Sequence, residues 1–131
     1  MSNAARYINE HYHENVTLST VAALSGFNPK YFSKLFNEYF KMGFADYLQK
    51  IRLEAAVKLL TDSDVKITSI PNKIGLSSFS TFAKNFKKYT GYSPLQYKDK
   101  FRKMWFVWRI LTLFLISWFQ STSLRTCFGN I

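Results

Sequence analysis

The chain has 131 residues, a formal net charge of +10 and a hydrophobic content of 47%. This length suffices for one compact unit or two very small ones, and the apolar content argues against intrinsic disorder. A basic protein of this size is expected to bind a polyanion, either nucleic acid or an anionic membrane surface. The single cysteine, Cys127, excludes an internal disulfide, and no apolar signal segment opens the chain.

The segment before residue 44 predicts three helices, the first over residues 4–13. Thr17 is the predicted N-cap of the second helix, and Gly26, which tolerates a positive φ, is its predicted end. Asn28 and Pro29 predict the start of the third, because Pro is favoured at the first helical position. The third helix has an apolar face (Phe32, Leu35, Phe36, Tyr39) and a polar face (Lys30, Ser33, Lys34, Asn37).

A linker helix is predicted over residues 44–60, where FADYLQKIRLEAAVKLL contains no Gly or Pro. These seventeen residues span roughly 25 Å as a helix. Two partners are open for Arg52 on this helix: a DNA phosphate, or an acidic side chain in a structural ion pair. The predicted buried stripe of the linker is Phe44, Leu48, Ile51, Ala55 and Leu59.

The chain contains an internal repeat. FSKLFNEY at residues 32–39 returns fifty residues later as FAKNFKKY at residues 82–89. Self-similarity at a fixed offset indicates that one structural unit has been duplicated. Ser77 or Ser78 is the predicted N-cap of the second copy's second helix. That helix has a predicted buried face (Phe79, Phe82, Phe86, Tyr89) and an outer face (Ser80, Thr81, Ala83, Lys84, Lys87, Lys88).

Two positions of the repeat are expected to strain its helices. Pro71 stands in the first helix of copy two, and a proline inside a helix costs about 3 kcal/mol. A late helix start, with Thr68 as N-cap, would place Pro71 in the first turn. Lys41 occupies the slot that Gly91 fills in copy two, a slot that suits a left-handed C-cap. We therefore expect Lys41 to be modestly strained.

Two short helices joined by a turn with Gly, the second with a polar outer face, are typical of the helix-turn-helix motif. Two such units on a basic chain, joined by one stiff helix, predict binding to double-stranded DNA, whose major groove returns to the same face about every 34 Å. The predicted fold is all-α with about seven helices. The predicted domain covers residues 1–103, with the first unit and linker at 6–60 and the second unit at 61–103.

Three stretches, LSTVAALSGFNPKYFSKLF, IRLEAAVKLL and GLSSFSTFAKNFKKYTGYSPLQYK, resemble the arabinose-regulator (AraC/XylS) family of bacterial transcription factors. FKKYTGYSPLQY is similar to that family's C-terminal signature almost position for position. The resemblance covers residues 6–102 and implies a double helix-turn-helix that reads two consecutive major-groove segments and regulates transcription. It also implies the base-reading positions: Lys30, Ser33 and Lys34 in copy one, and Phe79, Ser80, Thr81, Ala83 and Lys84 in copy two.

The side chains at these positions differ in what they can recognise. Lysine can donate to guanine O6 and N7 or to phosphate, serine and threonine can bond several base edges, and Ala83 can touch a thymine methyl. Phe79 cannot hydrogen-bond a base, so we expect it to pack inward or to press on a methyl group. Asn37, Lys87 and Lys88 are further candidate DNA contacts, although a solvated surface is an equally weighted alternative for the two lysines.

Enzyme functions find no support, because paired carboxylates, a Gly-rich phosphate loop and a Ser/His/Asp grouping are all missing from the sequence. His11 and His13 are two residues apart and would point to opposite sides of a helix, so we expect no metal site. No cofactor and no small-molecule ligand are expected in this chain. The expected partners are double-stranded DNA and RNA polymerase, and the expected location is the cytoplasm. The additional sensing domain that family members usually carry is not expected among these residues.

A short last helix containing Tyr97 is predicted to start at Pro94, and the tail at residues 104–131 no longer resembles the family. Within it, MWFVWRILTLFLISWF at 104–119 has sixteen residues including Arg109, fewer than the ~20 that cross a bilayer. Its apolar residues lie all around a helix. Three origins are open for this tail: a non-native end, a helix packing on the domain or on a second copy, and a membrane anchor.

Two alternatives to DNA binding are left open by the sequence. One is a basic interaction or membrane-associated module, whose cationic surface meets anionic lipid while the tail inserts. The other is a folded relic whose second unit is disabled by Pro71.

Overall fold

A computed structural model describes the backbone of residues 1–128 and their side chains, except those of Trp105 and residues 121–128. These residues form seven α-helices and no β-strand, which confirms the predicted all-α fold. One compact unit covers Met1–Leu95, and a second begins at Gln96. The helices are α1 (Ser2–His11), α2 (Leu18–Leu24), α3 (Pro29–Phe40), α4 (Phe44–Asp62), α5 (Ile70–Ile74), α6 (Phe79–Thr90) and α7 (Pro94–Phe128), with a 3-10 turn at Ile67–Ser69.

Side-chain caps start three of the helices where the sequence predicts them. Thr17 Oγ1 accepts a hydrogen bond from the Thr20 N–H at 3.2 Å before α2. Asn28 Oδ1 accepts from the Lys30 N–H at 2.9 Å before α3. Ser78, rather than Ser77, accepts through Oγ from a first-turn N–H of α6, at the longer distance of 3.5 Å. Each cap satisfies a backbone donor that has no partner within its helix.

The first repeat, α2 and α3, packs with α1 and the beginning of α4 around the fully buried rings of Phe32 and Phe36. The prediction that Tyr39 belongs to this buried face is wrong. Its side chain is 63% exposed and contacts Phe40 with the ring centroids 4.9 Å apart. Tyrosine tolerates this position in the last turn because its hydroxyl prefers a wet environment. The other buried members of this core are Ala4, Ile8, Val16, Val21, Ala22 and Leu48.

Helix α4 buries different sides in its two halves. Leu48 belongs to the first core, whereas Leu53, Ala56 and Leu60 are buried in the half that packs against α5. The half-buried Phe44, Tyr47 and Ile51 pack on the first core beside Leu48, and at about 100° per residue this side of α4 lies roughly 160° around the helix axis from the second set. The single predicted stripe is therefore wrong in its second half, where Ala55 and Leu59 are only half-buried. A helix between two cores cannot present one continuous stripe to both.

The second repeat, α5 and α6, accommodates Pro71 by a late helix start, as predicted. A 3-10 turn precedes α5, so Pro71 falls in the first helical turn, where its missing N–H breaks no helical bond. The predicted cap is displaced by one residue, from Thr68 to Ser69. The Ser69 hydroxyl makes no cap hydrogen bond and instead donates to the Lys66 carbonyl at 2.7 Å. The helix keeps only five residues, but Pro71 itself is buried.

The last helix is much longer than predicted. Helix α7 runs for 35 residues, because no Pro or Gly follows Pro94 until Gly129. The side chains described in the apolar segment at residues 106–120 are exposed. Among residues 1–128, no helix combines the length and the apolar character needed to span a membrane.

The two left-handed helix ends at Lys41 and Gly91 provide a matched test of backbone strain. Lys41 has φ +58° at the end of α3, and Gly91 has φ +84° at the end of α6 with open space around it. A side chain in this conformation costs about 1–2 kcal/mol. We expect Lys41→Gly to raise the free energy of unfolding by about 0.5–1 kcal/mol and Gly91→Lys to lower it by about 1 kcal/mol. Urea denaturation measures both, and shifts of the same sign would contradict this account.

A second pair of substitutions tests the assignment of the buried face of α3. Phe36→Ala should lower the free energy of unfolding by about 3–5 kcal/mol, because it removes a fully buried ring. Tyr39→Ala, three residues further along the same helix, should cost less than about 1 kcal/mol because that ring is mostly solvated. Equal losses in thermal or urea unfolding would show that Tyr39 is part of the core.

Candidate nucleic-acid interface

Helix α6 presents a cationic face to solvent. Phe82 and Phe86 are fully buried on one side of the helix, whereas Tyr89, predicted on the same buried face, is 46% exposed. On the other side Lys84, Lys87 and Lys88 are exposed, and the helix carries no acidic residue, so its formal charge is +3. Ser80 and Thr81 are also exposed at the first turn, and Ala83 is half-buried between them and the lysines.

Helix α3 repeats this arrangement with less charge. Phe32 and Phe36 anchor it, and Lys30, Lys34 and Asn37 are exposed on the outer side. Ser33 is half-buried at the border of that face. Glu38 stands where α6 has Lys88, so the formal charge of α3 is +1. Apart from Phe79, the predicted contact residues of each copy therefore lie on the outer side of their helix, away from the buried phenylalanine pair.

Two predicted contact residues at the start of α6 have neighbours that limit their roles. Phe79, expected in the buried face, is 43% exposed, and its ring lies edge-on to Phe82 at a centroid distance of 5.9 Å. It therefore packs inward on one side and offers its other side as an apolar surface. The Ser80 hydroxyl lies 2.9 Å from that of Ser78, and a hydroxyl with one such bond can still accept another.

Tyr31 is a candidate contact that the sequence interpretation missed. Its side chain is 53% exposed on the first turn of α3, and its ring lies 5.6 Å from that of Phe27. Fifty residues later the same position is Thr81, a predicted contact residue of copy two. The repeat offset itself is therefore the signal that would have identified Tyr31, since equivalent positions of duplicated helices face the same way.

Arg52 binds backbone carbonyls and not the acidic side chain that the sequence left open as its partner. Its Nε donates to the Tyr12 carbonyl at 2.8 Å, and Nη2 donates to the Glu14 carbonyl at 3.0 Å. The side chain is thus bound to the loop between α1 and α2. Burial lowers the pKa of the Arg52 guanidinium, but arginine remains charged near neutral pH because its ordinary pKa is so high.

His11 and His13 do not point to opposite sides as expected. Helix α1 ends at His11, so His13 lies in the following turn, and both imidazoles approach the same Glu14 Oε1, at 3.3 Å and 3.5 Å. Within the part of the chain that the structure describes, no group of three or more His, Cys, Asp or Glu side chains could hold a metal ion. Cys127 lies where side chains are not described.

Comparison with known proteins identifies the family. A model described as a helix-turn-helix domain matches residues 4–100 of this chain. The solved C-terminal domain of AraT, a response regulator from Geobacillus stearothermophilus, is 32% identical, with a TM-score of 0.71 over 76% of this chain and 83% of that one. The chain belongs to this helix-turn-helix family, of the AraC/XylS type. The predicted resemblance is confirmed.

Further regulators are similar to a comparable share of the chain. The C-terminal domain of the response regulator yesN from Fusobacterium nucleatum is 31% identical, with a TM-score of 0.69 over 74% of this chain and 95% of that one. The regulatory protein PocR of Salmonella typhimurium is 36% identical over 100 residues, 76% of this chain, but that match spans only 33% of PocR. The DNA-binding domain of AdpA, solved in complex with a target DNA, shares the fold with a TM-score of 0.75 over 79% of this chain and 93% of that one, at 23% identity.

Proposed function

We propose that this AraC/XylS-type domain binds double-stranded DNA sequence-specifically, as the DNA-binding part of a bacterial transcription regulator, with α3 and α6 entering adjacent segments of the major groove. The observation that carries the proposal is the duplicated outer face. Lys34 and Lys84 occupy equivalent exposed positions on two helices that are anchored by equivalent buried phenylalanine pairs. We further propose that residues 1–103 form this domain and that residues 104–131 are a tail outside it.

The residues of the two helices are proposed to make different kinds of contact with the bases. Lys34 and Lys84 donate to guanine O6 and N7, the commonest specific contact in the major groove. Phe79 and Ala83 present apolar surface that suits a thymine methyl, and Tyr31 adds an aromatic ring with a hydroxyl at the start of α3. The remaining polar contacts are proposed for Lys30, Ser33, Asn37, Ser80 and Thr81.

Lys87 and Lys88 are proposed to bind phosphates rather than bases. They lie in the last turn of α6, beyond the first-turn positions that enter a groove most deeply in helix-turn-helix docking. Phosphate contacts position a domain on the duplex and supply much of its affinity without reading sequence. The net charge of the chain therefore favours tight and salt-sensitive binding.

The same proposal assigns the remaining properties of the chain. Recognition by hydrogen bonds and ion contacts makes no covalent change to DNA, so the domain is not an enzyme and needs no cofactor. Bacterial DNA lies in the cytoplasm, where this domain acts. RNA polymerase is the proposed protein partner, since a regulator bound at a promoter changes transcription by helping or blocking that enzyme.

Replacing the equivalent lysines tests base recognition. Lys34→Ala and Lys84→Ala should each weaken binding to the preferred site by about 1–3 kcal/mol and relax the preference at the base pair contacted. Gel-shift titrations against the selected site and its single-base variants measure both effects. Lys58→Ala is the matched control, because Lys58 is an exposed lysine of α4 on the side of α1 and should leave binding almost unchanged. If both variants bind every sequence as well as the parent, the assignment of these lysines is wrong.

The phosphate role of α6 has a different signature. Replacing Lys87 and Lys88 together with alanine should weaken binding to all sequences alike and should reduce the slope of log K against log salt by up to about 1.8, at about 0.9 per phosphate contact. Fluorescence anisotropy at several salt concentrations measures the slope. A variant with an unchanged slope but an altered base preference would instead place these lysines at base edges.

A further inference from the structure

Residues 12–15, in the loop between α1 and α2, are held by the linker helix. Arg52 of α4 reaches its backbone with two separate donors, Nε to the Tyr12 carbonyl at 2.8 Å and Nη2 to the Glu14 carbonyl at 3.0 Å. The planar guanidinium fixes the angle between these donors, so two carbonyls that accept from it are held in one relative orientation. The loop is further ordered by a hydrogen bond from the Val16 N–H to the Glu14 carbonyl at 3.0 Å.

The turn of the second repeat lies directly against the same loop. Gly75 ends α5 with φ +86°, and a Cβ placed on it would lie 2.8 Å from the His13 carbonyl oxygen and 3.1 Å from that of Tyr12. Real Cβ atoms essentially never approach another atom to 2.8 Å, so a side chain at this position would require the His13 backbone to shift. Gly26, the equivalent glycine of the first repeat, has φ +76° but nothing within 4 Å of its Cβ position. The close contact is therefore peculiar to the second repeat.

This contact connects the start of the first repeat, just before α2, with the turn of the second repeat, between α5 and α6. The loop leads straight into the Thr17 cap of α2, and the Gly75 turn leads into the Ser78 cap of α6. Helix α4 is covalently connected to both repeats and supplies Arg52 to the same place. The loop at 12–15, Arg52 and Gly75 together form what we name the repeat joint.

We propose that Arg52 and Gly75 are positioning residues, which fix the placement of α3 relative to α6 through the repeat joint and thereby select the spacing between the two DNA half-sites. The inference rests on the proposed function, in which both helices enter the groove, and neither residue is proposed to touch DNA. Adding one base pair between half-sites moves the second one by about 3.4 Å and turns it by roughly 34°. A rigid joint should reject such a site, whereas a loosened joint should accept it.

The experiment uses the whole chain and a selected two-part site. Sites are first selected from random duplexes, and one or two base pairs are then inserted or removed between the half-sites. The parent protein should lose at least about tenfold in affinity for each altered spacing, the equivalent of about 1.4 kcal/mol. Arg52→Ala should reduce that loss to within about threefold while keeping the parent's base preference within each half-site. Arg52→Lys should be intermediate, because one ammonium can reach the carbonyls but cannot reproduce the fork.

Gly75→Ala and Gly26→Ala provide a second test with a matched control. Both variants place a side chain at a positive φ, so the backbone strain is common to both. Only Gly75→Ala also forces the His13 carbonyl away. We expect Gly75→Ala to broaden or shift the preferred spacing and Gly26→Ala to keep the parent's preference. Circular dichroism identifies a temperature at which every variant is folded, and binding is compared there.

Three outcomes would overturn the inference. If Arg52→Ala and Gly75→Ala keep the parent's spacing preference, the joint does not select spacing, and recognition by two helices still stands. If both variants lose affinity by the same factor at every spacing, the joint contributes only to folding. If the parent itself binds all spacings equally well, insertion of two helices fails as the proposed function, and the inference fails with it.

Discussion

Two phenylalanines one helical turn apart, buried on α3 and again on α6, determine which side of each helix meets solvent. Each fully buried ring contributes about 1.5–3 kcal/mol relative to an exposed one, and a buried unpaired lysine costs several kcal/mol. Turning either helix over would expose two rings and bury two or more lysines. The free-energy cost of that change would be comparable to the 5–15 kcal/mol stability typical of a domain. The cationic faces are therefore a consequence of core packing. Substitutions on those faces can change recognition while the fold is retained.

The two repeats share this scaffold but have diverged in charge and shape. Glu38 and Tyr31 of α3 correspond to Lys88 and Thr81 of α6. Because α6 has the higher positive charge, it is suited to the sequence-independent part of the binding energy, which comes from phosphates. Helix α3 has less charge and a large exposed aromatic ring, so shape and apolar contact count for more there. Two copies of one motif can thus read unlike half-sites, which a strictly symmetric pair would not do.

Features set by a few neighbouring residues were predictable from the sequence, and features set by distant partners were not. The caps at Thr17 and Asn28 and the strained Lys41 follow from local chemistry, and the repeat revealed most of the outer faces. The buried stripe of α4 was mispredicted because the helix packs on two cores from opposite sides, so the two patterns overlap in one stretch of sequence. The exposed position of Tyr39 likewise depends on which surfaces the neighbouring elements cover, and the periodicity of one helix does not specify that.

Arg52 shows the same limit of prediction from sequence. A lone arginine on a linker helix of a basic protein suggests a phosphate or an acidic side chain, since these are the partners that sequence composition makes visible. Its actual acceptors are two backbone carbonyls 38 and 40 residues away, which any residue could supply. A partly buried guanidinium must have its donors satisfied, and backbone carbonyls do so without an additional acidic side chain. An acidic partner at this place could also have anchored the loop, but it would have lowered the net charge of +10 on which the proposed salt-sensitive binding depends. The choice of backbone acceptors therefore keeps the structural role of Arg52 compatible with the electrostatics that binding requires.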